Sequence, residues 1–124
     1  DANSMANTIK TTGKVAVYGI YFDTGKSELK PESLNALIEI SKMLKADPSL
    51  KLYVVGHTDN VGTFDSNIKL SMDRAAAVIN ALVTKHSVNA ANLKPFGNGP
   101  CAPVATNETA EGKALNRRVE LVKQ

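Results

Sequence analysis

Between Leu50 and Lys85 the hydrophobic period of the chain changes from that of a strand to that of a helix, across a short polar turn. Leu50-Lys51-Leu52-Tyr53-Val54-Val55-Gly56-His57 has strand length and strand composition. Thr58-Asp59-Asn60-Val61-Gly62 follows with turn chemistry. From about Ser66 to Lys85, the apolar residues Ile68, Met72, Ala75, Val78, Ile79, Leu82 and Val83 fall on one arc of a helical wheel, opposite Lys69, Asp73, Asn80 and Thr84. A strand that feeds such a helix must bury the helix stripe against its own sheet, so a layered α/β domain is predicted.

The alternation extends to both sides. Val15 to Phe22 reads as a first strand, closed by the turn Asp23-Thr24-Gly25. After Pro31, which suits the first position of a helix, Leu34, Leu37, Ile38, Ile40, Met43 and Leu44 recur at helical spacing until Asp47-Pro48 stops them. Two further strands are predicted around Leu93 to Phe96 and Asn116 to Val122, separated by a loop rich in Gly, Pro, Asn and Thr. The order strand, helix, strand, helix, strand, strand predicts one mixed βαβαββ sheet with the two main helices on one face and right-handed crossovers. Asp1 to Thr12 carries Asn, Ser, Thr and small residues without evident periodicity, so residues 1–13 are set apart as a linker remnant or added tail. Residues 14–124 are the domain.

Composition removes several function classes. A chain of 124 residues holds one core. Its longest uncharged apolar stretch, Val15 to Phe22, is far short of the roughly 20 residues of a membrane-spanning helix, so the domain itself is not expected in the membrane. The net charge of +3 is spread along the chain, with three Arg and no Trp, and does not form the basic, aromatic surface of a nucleic-acid binder. Cys101 has no partner for an intrachain disulfide and cannot make a Cys-based zinc site.

Two motifs fail on their spacing or supply. Thr24-Gly25-Lys26-Ser27 after a strand invites a phosphate loop, but Gly19 lies one residue too far upstream, and Ile20, Tyr21 and Phe22 are too bulky for a cradle. His57 and Asp59, with Asp65 and Asp73 nearby, include ligand types for zinc or harder ions, but His57 has no second His or Cys within ligand spacing and His86 lies at the far end of the second helix, so no metal is expected, and no cofactor. No Ser or Thr lies in a nucleophile elbow and Cys101 has no adjacent base, so the chain is not expected to be an enzyme.

On the second helix Asn67, Ser71 and Arg74 fall at i, i+4 and i+7 and form a polar stripe along the border of the apolar arc. Arg74 is thereby placed at the edge of the core, where a guanidinium is costly to leave without a partner. Asp59, at the carboxyl end of the second strand, is the candidate, and such sheet ends are where α/β folds place ligands. The two charges read either as an internal ion pair or as the two poles of a ligand site.

These residues carry a family resemblance. Gly56-His57-Thr58-Asp59-Asn60-Val61-Gly62, then Asn67-Ile68-Lys69-Leu70-Ser71-Met72-Asp73-Arg74-Ala75, then Asn116-Arg117-Arg118-Val119-Glu120, preceded by Tyr21-Phe22-Asp23-Thr24, resemble the OmpA-like peptidoglycan-binding domain over about Val15 to Val122. The resemblance implies a βαβαββ domain of the kind carried by outer-membrane porins, lipoproteins and flagellar stator proteins. It implies non-covalent attachment to the cell wall from the periplasm, in a parent protein tethered to the outer membrane. The ligand it implies is meso-diaminopimelate in the peptide stem, whose free D-centre presents an ammonium and a carboxylate together.

On this resemblance Arg74 takes the carboxylate through a two-pronged hydrogen-bonded pair and Asp59 takes the ammonium. Asn67, Thr58, the backbone around Leu70, and Asp23 and Thr24 on the first loop line the pocket. Arg118 matches a position near it, with the alternative that Arg118 is a strand residue paired with Glu120 or Asp23. The segment 97–113 is where family members differ, and the thiol of Cys101 would be unusual in an oxidising periplasm. A homodimer is left open. Two other readings stand beside wall binding: a periplasmic protein-interaction domain, and a cell-wall hydrolase, which would need a metal set or a nucleophile with its base. Open charges in one cleft favour a binding module; charges bonded to each other favour the interaction domain.

Overall fold

Strands β1 (Lys14–Val17), β2 (Leu52–His57), β3 (Leu93–Gly97) and β4 (Arg118–Lys123) form one sheet in the order β1-β4-β2-β3, in a computed structural model that describes residues 1–124. Strands β2 and β3 are parallel, while β4 is antiparallel to both β1 and β2. Three strands therefore run one way with the last strand inserted against them, as a βαβαββ chain requires. The parallel neighbours β2 and β3 need a crossover, which helix α3 (Phe64–His86) supplies, while helix α2 (Leu34–Ala46) carries the chain from β1 to β2 past the position of β4.

Alternation along the strands separates two faces. Val17, Leu52, Val54, Val119 and Leu121 are buried on one face, under Leu37, Ile40, Met43 and Leu44 of α2 and Ala75, Val78, Ala81 and Leu82 of α3. The other face carries Tyr53, Val55 and His57 of β2 beside Arg118 and Glu120 of β4 and Phe96 of β3, and there Tyr53 and Phe96 remain exposed. The two main helices thus share one face, as expected.

The structure departs from the sequence-based expectation in three places. Residues 2–12, expected outside the fold, form helix α1 (Ala2–Thr12), and Met5 and Ile9 join the core. The Asp1 carboxylate accepts from the Ser4 amide, Gly13 ends the helix at φ 87°, and Ala2, Met5, Ala6 and Ile9 form its inner stripe. That stripe is helically periodic, and short small residues disguise it. Strand β1 ends at Val17 instead of Phe22; beyond it Phe22 pairs with Leu29 in an isolated antiparallel bridge that closes the loop 22–29. Finally, part of the segment expected as loop forms helix α4 (Ala110–Asn116), capped by Thr109 on the Gly112 amide.

One packing detail positions the site. Gly56 and Gly97 are register partners on β2 and β3, and a Cβ on either would overlap the α3 backbone, at the Ser71 carbonyl and the Met72 amide respectively. The helix therefore lies backbone to backbone on the sheet at this point. Only small or hydrogen-bonding side chains fit beneath it, so the buried positions of the first turns are Asn67 and Ser71, while Ile68 is half-buried and Met72 exposed. Here the apolar arc predicted from periodicity is displaced by the polar stripe. Ser71 Oγ accepts from the Gly99 amide at 2.9 Å and donates to the Ile68 carbonyl, so its burial is satisfied.

Candidate ligand-binding site at the carboxyl end of β2

Strand β2 ends in a buried turn that holds Asp59. Thr58 donates its amide to the Gly99 carbonyl at 2.9 Å and its hydroxyl to the Asp59 carbonyl at 2.7 Å, which spends both donors on the scaffold. Asp59 Oδ1 accepts from the Val61 amide at 2.9 Å, an Asx turn that fixes the carboxylate. Asn67, buried on α3, donates through Nδ2 to the Val61 carbonyl at 2.9 Å. Both backbone groups of Val61 are thus tied to site residues, and the loop between strand and helix is held rigid.

Arg74 approaches from α3. Its Nε donates to the Lys26 carbonyl at 2.8 Å and its Nη2 to the Asp23 carbonyl at 3.1 Å, and the guanidinium lies 4.8 Å from the centroid of the Phe22 ring. The loop 22–29 is therefore a cradle: carbonyls and an aromatic face orient the guanidinium without neutralising it. Burial pulls the Arg74 pKa below its ordinary value, the charge of Arg117 pulls it the same way, and the charge of Asp59 opposes them. A guanidinium stays protonated through such a shift, so the site keeps a half-buried cation.

Asp59 and Arg74 form no ion pair with each other. Asp59 Oδ2 instead accepts from Arg117 Nη1 at 2.8 Å. Arg117 was not among the expected site residues, and its place follows from topology: it ends α4 just before β4, which lies beside β2.

The remaining candidates divide. Asp23 is exposed, lends its carbonyl to Arg74 and pairs with Lys30 at 3.3 Å; the Asp23 and Glu32 carboxylates together raise the Lys30 pKa. Thr24 is exposed at the loop tip, and Leu70, one turn before Arg74, is half-buried. Arg118 is placed elsewhere. It lies on the opposite face of the sheet, is buried, and donates to Glu120 Oε2 at 2.7 Å and to the carbonyls of Asn116 and Ala102. Of the two roles weighed for it, the pair with Glu120 is the one found. Glu120 also faces His57 at 3.4 Å and Lys14 at 3.7 Å, with the imidazole off line, so that both His57 nitrogens lack a hydrogen bond.

No three or more His, Cys, Asp and Glu side chains converge as a metal site, and Cys101 is exposed and unpaired. What the arrangement offers is one carboxylate and two guanidiniums at one end of the sheet, a charge set suited to an ion that is itself part anion and part cation.

The model of the OmpA family matches residues 21–117. A probable lipoprotein YiaD of Escherichia coli is 43% identical over 102 residues, which are 82% of this chain and 46% of that protein. Outer membrane porin F of Pseudomonas aeruginosa is 44% identical over 101 residues, 82% of this chain and 29% of the porin. The chain thus spans less than half the length of these two curated relatives. Among solved structures, the peptidoglycan-associated lipoprotein of Burkholderia pseudomallei superposes with a TM-score of 0.78 at 28% identity, covering 100% of both chains. On sequence and on fold together, this chain belongs to the OmpA family.

Proposed function

We propose that the domain binds peptidoglycan without altering it, through the meso-diaminopimelate of the peptide stem, and so anchors an envelope protein to the wall from the periplasm. The observation that carries this reading is that Arg74 is held by backbone carbonyls and a ring and by no carboxylate, while Asp59 pairs with the half-exposed Arg117 and not with Arg74. An Asp59–Arg74 pair would have cancelled both charges; instead Arg74 remains a cation without a carboxylate, and Asp59 has as its one charged partner the half-exposed Arg117, for a zwitterionic centre to compete with. Arg74 takes the ligand carboxylate, since Nη1 has no partner in the protein. Asp59 takes the ammonium, with Asn67 keeping the loop in place and Asp23, Thr24 and Leu70 at the margin. The likeness to a peptidoglycan-associated lipoprotein supports the same class of ligand. The membrane tether belongs to the parent protein on this reading.

The test is amide chemical-shift perturbation on adding meso-diaminopimelate, with lysine as control, to the wild type and to Asp59→Ala and Arg74→Ala, each first shown to be folded. Losing either partner of a desolvated charge pair costs about 2 to 5 kcal/mol, so shifts clustered at residues 58–74 should vanish in both variants. Absent shifts in the wild type, or shifts that survive both substitutions, would return the site to a protein-interaction role.

A further inference from the structure

The cations of this chain are spread along the sequence but gathered in space. Each of the first three helices ends where the next strand begins, so the last turns of α1, α2 and α3 meet at the amino end of the sheet, opposite Asp59 and Arg74. Lys10, Lys45 and Lys85 lie in those last turns. Lys14 opens β1, Lys51 precedes β2, Lys94 is second in β3, and Lys123 closes the antiparallel β4 at the same end. Lys10, Lys51 and Lys123 line one groove between α1, α2 and the strand ends. All seven lysines are exposed, and only Lys14 has a carboxylate within 4.0 Å, Glu120 at 3.7 Å. At the other end of the sheet Lys30, Lys69 and Arg117 are each paired. Asp47, whose carboxylate accepts from Ser49, is the one acid among these turns and strand ends. Seven lysines against one carboxylate give this end +6; the whole chain is +3, so the remainder carries −3. Helix dipoles account for cations in the last turns of helices, but not for the four at the strand ends.

The surface beside these lysines is aromatic. On the face of the sheet away from the helices, one row of register partners runs Lys14, Val122, Tyr53, Lys94 across all four strands, with Phe96 one row further on. Tyr53 and Phe96 are both exposed. Ammoniums on flexible stems around two exposed rings, with no guanidinium among them, suit a plane of phosphates better than a ligand of fixed shape. We propose that the amino end of the sheet is a docking surface for a bilayer containing anionic phospholipid. Headgroup phosphates take the lysines, and Tyr53 and Phe96 lie at headgroup level, where aromatic rings are favoured. Lipid docking does not depend on wall binding. With both in place the two surfaces point opposite ways, so a domain resting on a membrane presents Asp59 and Arg74 to the wall.

The experiment sediments the 124-residue chain with vesicles of phosphatidylcholine alone and of phosphatidylcholine with phosphatidylglycerol at about 3:1, each variant first shown to be folded. Binding should require phosphatidylglycerol and be lost at about 1 M salt, where the screening length is about 3 Å. Each lysine near an anionic surface contributes about fivefold, so Lys51→Gln/Lys94→Gln/Lys123→Gln should bind about a hundredfold more weakly. Lys26→Gln/Lys69→Gln/Lys113→Gln removes the same charge from the other end and should stay within about threefold of the wild type, because those positions lie beyond the screening length. Paramagnetic lipid in the same vesicles should broaden the amides of residues 51–53, 94–96 and 122–123 and spare those of 58–74. No binding to the phosphatidylglycerol vesicles, or equal losses in the two triple variants, overturns the docking surface. Equally tight binding to soluble polyglutamate overturns it as well, since any polyanion would then serve. Diaminopimelate shifts measured on the same samples test the wall site separately, so failure of either surface is read without the other.

Discussion

Two neighbouring arginines hold carboxylates in two settings, Arg118 with Glu120 on the face of the sheet away from the helices and Arg117 with Asp59 at the carboxyl end of β2. Arg118 and Glu120 are 1% and 7% exposed in their side chains, with further guanidinium donors spent on the Asn116 and Ala102 carbonyls. Arg117 and Asp59 are 49% and 11% exposed, and the arginine spends one nitrogen. Arg117 caps α4 and Arg118 opens β4, so one step in sequence separates a pair that closes the underside of the sheet from a pair at the carboxyl end of β2. A fully bonded, buried pair is a fixed part of the scaffold. A half-exposed pair with spare donors is exchangeable, which is what a ligand pole has to be.

The sharpest way to break this comparison is to truncate each arginine. Arg118→Ala leaves Glu120 buried without its partner and should cost about 3 to 5 kcal/mol of stability, measured by urea unfolding. Replacement of Arg117 by Ala should cost clearly less in the same assay, because Arg117 is half-exposed and Asp59 keeps the Val61 amide. Equal losses would mean that the two pairs are alike after all.

Between these extremes lies the contact that sets where α3 rests. Gly56→Ala places a methyl against the Ser71 carbonyl and should destabilise by about 1 to 3 kcal/mol. Because the same displacement moves Asn67 and Arg74 relative to β2, the folded fraction should also show weakened diaminopimelate shifts. Unchanged affinity in the variant would show that the site tolerates movement of α3.

A smaller effect separates the faces by pH. Burial, and next the Arg118 charge, lower the His57 pKa below its ordinary 6.5 despite the pull of Glu120. Burial alone would raise the pKa of Glu120, but the hydrogen bond and charge of Arg118 outweigh it and hold the group below 4.5. Both folded-state pKa values lie under the unfolded ones, so the unfolded chain takes protons first as pH falls. Stability from this face should therefore be intact above about pH 6.5, decline below it as His57 titrates, and fall again below about 4.5 with Glu120. In His57→Gln the first decline should disappear and the second remain, as read from unfolding midpoints across pH. A wild-type slope retained in the variant would assign the decline to other groups.

The main elements were legible in sequence for an identifiable reason. Strand β2 and helices α2 and α3 bury long apolar side chains at regular spacing, and periodicity reports that directly. Helix α1 was missed because alanine does half the packing on its inner face, among Asn, Ser and Thr that read as loop. Helix α4 has seven residues with a buried glycine inside, which argues against a helix on propensity. Of the site, Asp59 and Arg74 could be named from the turn and the polar stripe, but the partner of Asp59 could not. Two adjacent arginines are equivalent in sequence until the end of α4 and the start of β4 give each its place.

The alternation of strand and helix, the turn after His57 and the polar stripe of α3 were enough to specify a βαβαββ domain with charged residues at one sheet end, because these are local consequences of side-chain spacing. Which charges meet was left to long-range pairing. The insertion of β4 beside β2 puts Arg117 on Asp59 across 58 positions of sequence, and the loop 22–29 reaches Arg74 across 48 and 51. No spacing rule spans such separations, since they are set by the register of the sheet and by the two glycines that let α3 lie against it.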